Sequence, residues 1–181
     1  MPLRLALAVG ALAAVLSAPL SHAGEAVQQV AAIPGDFGTD TRAMSVIDQQ
    51  MVAEPTQVTL SLLNQYRAAR GLGALAIDAQ MTVVAYQQAK AMADADFMDH
   101  NVVGDFGHRL IANKVVNVYA GENIGRNIRT AEKMFDWWVH SPVHESNMSN
   151  PRMTRLGFAV VYSAKSGKPY WAMALASAPI Q

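Results

Sequence analysis

The sequence predicts an α+β fold, a small antiparallel sheet with helices laid on it. Apolar residues recur at i, i+3, i+4 spacing through the first half, at Val58, Leu62, Leu63 and Tyr66 and again from Met81 to Ala93. Two β-rich runs, Leu156 to Tyr162 and Tyr170 to Ala176, lie near the end, separated by the turn-forming Lys165-Ser166-Gly167-Lys168-Pro169. Helical stretches come before and between the strand candidates without the regular alternation of a parallel α/β sheet. The 181 residues are enough for one domain.

Residues 1–23 read as a secretory signal peptide. Arg4 opens a short basic start, Leu5 to Leu16 is an uncharged apolar core, and Ser21-His22-Ala23 sets small residues where a signal peptidase cleaves. The apolar run falls short of the ~20 residues a spanning helix needs. Residues 24–55 carry the turn signals Pro34-Gly35 and Gly38-Thr39-Asp40 and no sustained period. They read as a linker or N-terminal arm, with a short helix over Val46 to Val52. The domain is expected over 56–181. Thr56 caps its first helix, Arg67 and Arg70 lie near that helix's end, and Gly71 is the C′ residue. Asp78 caps a second, Ala-rich helix that ends near Asp96, with His100 just beyond it. A short helix follows at His108 to Ala112, then a strand at Val115 to Ala120. Thr130 caps a third long helix whose inner face is Ala131, Met134, Phe135 and Trp138. Ser141-Pro142 open a short helix, with Glu145 near its N-terminal dipole and Asn150-Pro151 closing it.

Composition excludes several functions. Removing Arg4 with the leader from 14 basic residues leaves one fewer than the 14 acidic ones. No basic stripe exists for nucleic acid, and no polybasic cluster for a membrane surface. Zero cysteines exclude disulfides, thiolate metal ligands, cysteine nucleophiles and cysteine-linked lipid. An exported chain of this kind relies on a buried core.

The chemistry concentrates between Asp99 and Arg155. His100, Glu122 and His144 are nearly evenly spaced. If Val116, Val118, Ala120 and Glu122 alternate along a strand, Glu122 shares a face with valines, where a carboxylate needs a partner. Either Gly121 kinks the chain and frees Glu122, or a partner meets it, with His100 and His144 the natural candidates. Two imidazoles and a carboxylate match the ligand set of zinc sites that keep a position open for water. His108 and His140 read as structural or exposed, since Pro142 spoils the pairing of His140 with His144. Asn123 reads as a residue that satisfies backbone groups. Trp138 fits the inner helical face. Trp137 is then partly exposed, as ordinary surface or as a cleft wall. The methionines read mostly as core filler.

Pattern adds to this. Leu63-Asn64-Gln65-Tyr66-Arg67, Gly71-Leu72, Leu75-Ala76-Ile77-Asp78, Phe97-Met98-Asp99-His100, Gly121-Glu122-Asn123-Ile124, Trp138-x-x-Ser141-Pro142-x-His144-x-x-Asn147, Asn150-Pro151-Arg152, Leu156-Gly157-Phe158-Ala159 and Tyr170-Trp171 occur in one order. Together they resemble the CAP superfamily (cysteine-rich secretory proteins, antigen 5 and pathogenesis-related protein 1), in its short, cysteine-free bacterial branch. The resemblance implies an α–β–α sandwich with a three-stranded antiparallel sheet between helical layers. It implies that His100, Glu122 and His144 meet in a surface cleft, as metal ligands (zinc foremost) or as catalytic candidates. Many eukaryotic relatives add a glutamate three residues after the tryptophan matched by Trp138, where this chain has Ser141. The implied role is an exported module, secreted or periplasmic, that binds a metal, a lipid or a protein. The alternative is a metal-dependent or acid–base hydrolase using the same cleft, and a third reading is a structural or inhibitory interaction protein.

Overall fold

A single helix, α1 (Val46–Ala68), runs through Pro55, where the sequence suggests a break and a new start at Thr56. This helix opens the main body of the fold in a computed structural model, which describes residues 28–29, 46–116 and 119–179. The leader at 1–23, most of the arm and Val118 lie outside the described residues. The elements that follow are β2 (Ala76–Ile77), α2 (Ala79–Ala95), α3 (Phe106–Ala112), β3 (Tyr119–Arg126), α4 (Ala131–Val139), α5 (Pro142–Met148), β4 (Arg155–Tyr162) and β5 (Pro169–Ala176), with a two-residue β1 (Gln28–Gln29) upstream. No helix among the described residues is long and apolar enough to cross a membrane.

The sheet order is β1-β3-β5-β4-β2. Its centre is the expected antiparallel trio, with β5 paired to β3 and to β4. Two short strands widen it. β1 pairs antiparallel with the start of β3, and β2 pairs parallel with the start of β4. Alternation along β5 divides the core. Tyr170, Ala172, Ala174 and Ala176 pack with α2 and α3, while Trp171, Met173 and Leu175 pack with α1, α4 and α5. The result is an α–β–α sandwich. The α2 side is lined with small residues because that helix lies very close to the sheet. A Cβ on Gly157 would fall against the backbone of Met81 and Thr82.

Local chemistry sets the helix ends. Asp78 accepts from Met81 N, Asp105 from His108 N and Thr130 from Lys133 N. α2 stops at Asp96, whose left-handed φ of 57° turns the chain toward His100. Gly71 (φ 69°) ends the turn after α1. The α1 stripe differs from the predicted one. Over the described side chains, 54–68, the buried residues are Thr56, Thr59, Leu63 and Arg67, and Val58, Leu62 and Tyr66 are only half-buried. Arg67 is fully buried. It donates to the carbonyls of Gly73 (2.7 Å), Met148 (2.8 Å), Asn150 (3.0 Å) and Met153 (3.1 Å), so it holds the connection between α5 and β4.

Candidate functional site

The site is built on β3, which lies later in the chain than expected. The predicted strand, Val115 to Ala120, only begins at Tyr119 and continues through Gly121-Glu122-Asn123-Ile124-Gly125 to Arg126. Gly121 does not kink the chain out of the sheet. Instead, the alternation gives each residue of this run a reason. Ala120, Glu122 and Ile124 point toward α2 and α3, and Gly121, Asn123 and Gly125 point toward α4 and α5. A Cβ on Gly121 would stand 2.6 Å from Asn147 Oδ1, and one on Gly125 would strike the Met134 side chain. The glycines let two helices close on the strand.

Glu122 is therefore buried on the sheet, and partners meet it. Its side chain is 2% exposed. Oε1 accepts from His100 Nδ1 at 2.8 Å. Arg109 Nη2 donates to both carboxylate oxygens, at 3.0 and 2.8 Å. A carboxylate ion-paired to an arginine is acceptor-only, so His100 carries its proton on Nδ1 and donates it. The turn bearing His100 is held from below. Gln88 Nε2 donates to Asp99 O at 2.7 Å, Arg109 Nη2 to His100 O at 3.3 Å, and Asp99 Oδ1 accepts from Asn101 N at 2.7 Å. The Arg109 guanidinium lies 5.2 Å from the Phe106 ring centroid, and its buried Nη1 has no hydrogen-bond partner among the described residues.

His144 comes from the other side of β3, on α5. Ser141 is the residue before the first turn, but its side chain does not cap the helix; Ser141 Oγ lies 2.8 Å from His144 Nδ1. Asn123 Nδ2 donates to His144 O at 3.0 Å, and Asn147 Nδ2 to Asn123 Oδ1 at 2.8 Å, which ties α5 to the strand. Trp137 is 45% exposed, and its ring centroid is 5.1 Å from that of His144. Trp138 is buried and donates from Nε1 to Ile124 O at 3.0 Å. Glu145 serves the first turn of α5 as expected and also accepts a hydrogen bond from Tyr66. Burial, then that bond and the charge of Glu145, push the Tyr66 phenol up to about 12. His108 and His140 are exposed and outside the site.

His100 and His144 line one open cleft of about 370 Å³, with Met98, Asp99, Asn101, Ile124 and Trp137. Glu122 is not in its wall but stands behind His100. Of the three residues singled out in the sequence, two face the cleft and the third orients one of them. Arg109 and Gln88 were missed. Their signal was weak: each falls within a helical stripe of buried residues, Arg109 three after Phe106 and Gln88 four after Val84.

The zinc reading does not fit this arrangement. Among the described residues, no three His, Cys, Asp or Glu side chains are grouped to hold a metal ion. Both oxygens of Glu122 are already engaged, Oε1 by His100 and Arg109 and Oε2 by Arg109. A divalent ion on that carboxylate would stand near a fixed guanidinium. At ~5 Å and an effective dielectric of ~20, the two would repel by roughly 7 kcal/mol.

Comparisons with known proteins agree with the architecture. The family model "CAP: Cysteine-rich secretory protein family" matches residues 60–175. The uncharacterized protein YkwD of Bacillus subtilis is 29% identical over 106 residues, which cover 58% of this chain and 41% of that protein. This chain thus matches about two fifths of the length of that curated relative. An extracellular protein with an SCP domain from Bacillus anthracis superposes with a TM-score of 0.66 at 26% identity, covering 75% of this chain and 44% of the other. An outer surface protein of Borrelia burgdorferi superposes at 0.64 and 17% identity, covering 69% of this chain and 93% of the other.

Proposed function

The chain belongs to the CAP (cysteine-rich secretory protein) family, and from that premise we propose that it is an exported binding module whose cleft takes a small ligand between His100 and His144. The observation that carries the reading is the cleft wall. Two imidazoles, each engaged through Nδ1 by its own protein partner, face a space shared with the exposed indole of Trp137 and the apolar Met98 and Ile124. Oriented polar groups on an apolar wall are the make-up of a ligand site, and ~400 Å³ lies at the small end of such pockets. The ligand is then a compact molecule with one hydrogen-bonding end and one apolar end, smaller than a sterol. The leader-like residues 1–23 support export, to the periplasm or the medium, and the extracellular and outer-surface relatives point the same way.

The test is a small-molecule fragment screen by ligand-detected NMR on the chain from Gly24, followed by titration of hits against tryptophan fluorescence. Trp138 and Trp171 are buried, so a cleft ligand acts on Trp137. Hits should lose at least tenfold in affinity in His144→Ala and lose the fluorescence change in Trp137→Phe. Hits indifferent to both substitutions, or no hits at all, would overturn the reading.

One observation favours a second reading, acid–base hydrolysis. The Glu122–His100 hydrogen bond holds an imidazole as a general base is held. Ester or amide hydrolysis lost in both Glu122→Gln and His100→Ala would support it. Activity that survives both would belong elsewhere.

A further inference from the structure

We infer that Arg109 is the resident cation of this site. It fills at Glu122 the electrostatic role a metal ion would have, so the histidine–glutamate cluster works without metal, and Arg109 is the residue that positions His100.

The geometry is specific. Both oxygens of Glu122 receive Nη2 of Arg109, and both side chains are nearly buried, at 5% and 2% exposure. A carboxylate so deeply buried needs a counter-charge close by. Arginine supplies one that no ordinary pH removes. The guanidinium also holds backbone through Nε and Nη2, while its buried Nη1 has no hydrogen-bond partner among the described residues. Nε donates to Gly104 O at 3.3 Å, and Nη2 reaches His100 O at 3.3 Å. α3 delivers this group: Asp105 caps the helix, and the Arg109 guanidinium carbon lies over the Phe106 ring. A metal ion that captured Glu122 would leave a buried guanidinium without its anion. The site has room for one cation, and the chain provides it.

Arg109 acts on His100 twice. It pairs with both oxygens of Glu122, which leaves Oε1 facing the ring as an acceptor for the Nδ1–H of His100, and it holds the His100 carbonyl. The inference does not depend on what the cleft binds, and its test uses no ligand or substrate.

The experiment follows thermal unfolding of the chelator-stripped chain from Gly24 during titration with Zn²⁺ to millimolar, in wild type, Arg109→Met, Arg109→Lys and Arg109→Met/Glu122→Gln. Wild type should not respond to Zn²⁺. Arg109→Met should melt lower and recover part of the loss on adding Zn²⁺, because Glu122 is released as a ligand. The double variant, with no charge to compensate, should melt above Arg109→Met and ignore Zn²⁺. If Arg109→Met alone does not fold, the wild-type, Lys and double-variant arms still decide. Long-range ¹H–¹⁵N NMR should show the Nδ1–H form of His100 kept in Arg109→Lys and lost in the double variant. A Zn²⁺-dependent rise in wild type that disappears in Glu122→Gln would overturn the inference. So would an unchanged His100 tautomer in the double variant.

Discussion

Replacing Arg67 by methionine should destabilise the domain by about 3–5 kcal/mol. The side chain is fully buried and donates to four carbonyls, those of Gly73, Met148, Asn150 and Met153, three of them in the connection from α5 to β4. Methionine fills much of the same volume and donates nothing. Hydrogen bonds to a charged group contribute ~1.5–3 kcal/mol each, and buried acceptors left unpaired cost more than a mean bond. Four such bonds would exceed the estimate. Burial, however, disfavours the charged guanidinium and lowers its pKa, which offsets part of the gain. Arg67→Lys keeps the charge but not the fork, and should lose roughly half as much. Urea unfolding of the chain from Gly24 measures both. Native-state hydrogen exchange should also speed up across 148–153 in Arg67→Met, since that segment loses its anchor while α2 does not. A loss below ~1 kcal/mol, or exchange that accelerates uniformly, would refute the claim that Arg67 organises this connection.

Two further outcomes follow from the packing and the titration of single groups. Gly157→Ala should cost about 1–3 kcal/mol in a thermal melt, because the new methyl meets the backbone of Met81 and Thr82 rather than a flexible side chain, and α2 must shift. Tyr66, protonated in the fold up to about 12 against an ordinary value near 10, contributes stability that is fully present below pH 10 and lost as pH rises through 12. Urea midpoints measured across that window should fall more steeply in wild type than in Tyr66→Phe.

Much of the fold was legible where one physical rule dominates. The caps at Asp78 and Thr130, the stripe from Met81 to Ala93 and the hairpin β4–β5 each follow from a local signal, and each stands where expected to within a residue or two. Where tertiary contacts overrule local preference, the sequence misled. Gly121, Glu122, Asn123 and Gly125 are poor strand formers, yet β3 runs through them, because the glycines make room for Asn147 and Met134. Pro55 suggested a helix start, but α1 continues across it. Arg67 and Arg109 look like surface charges, and only partners 81 and 13 residues away give their burial sense. His100 and His144 line one cleft, whereas Glu122, expected to meet them there, is drawn behind His100 by its pairing with Arg109, a partner the local sequence does not indicate.

The most direct test of the account is the protonation pattern of the two site histidines, read by long-range ¹H–¹⁵N NMR at neutral pH with and without millimolar Zn²⁺. Neutral His100 should carry its proton on Nδ1, bonded to Glu122, and neither His100 nor His144 should shift when zinc is added. A His100 proton on Nε2, or concerted zinc-induced shifts of both rings, would contradict it.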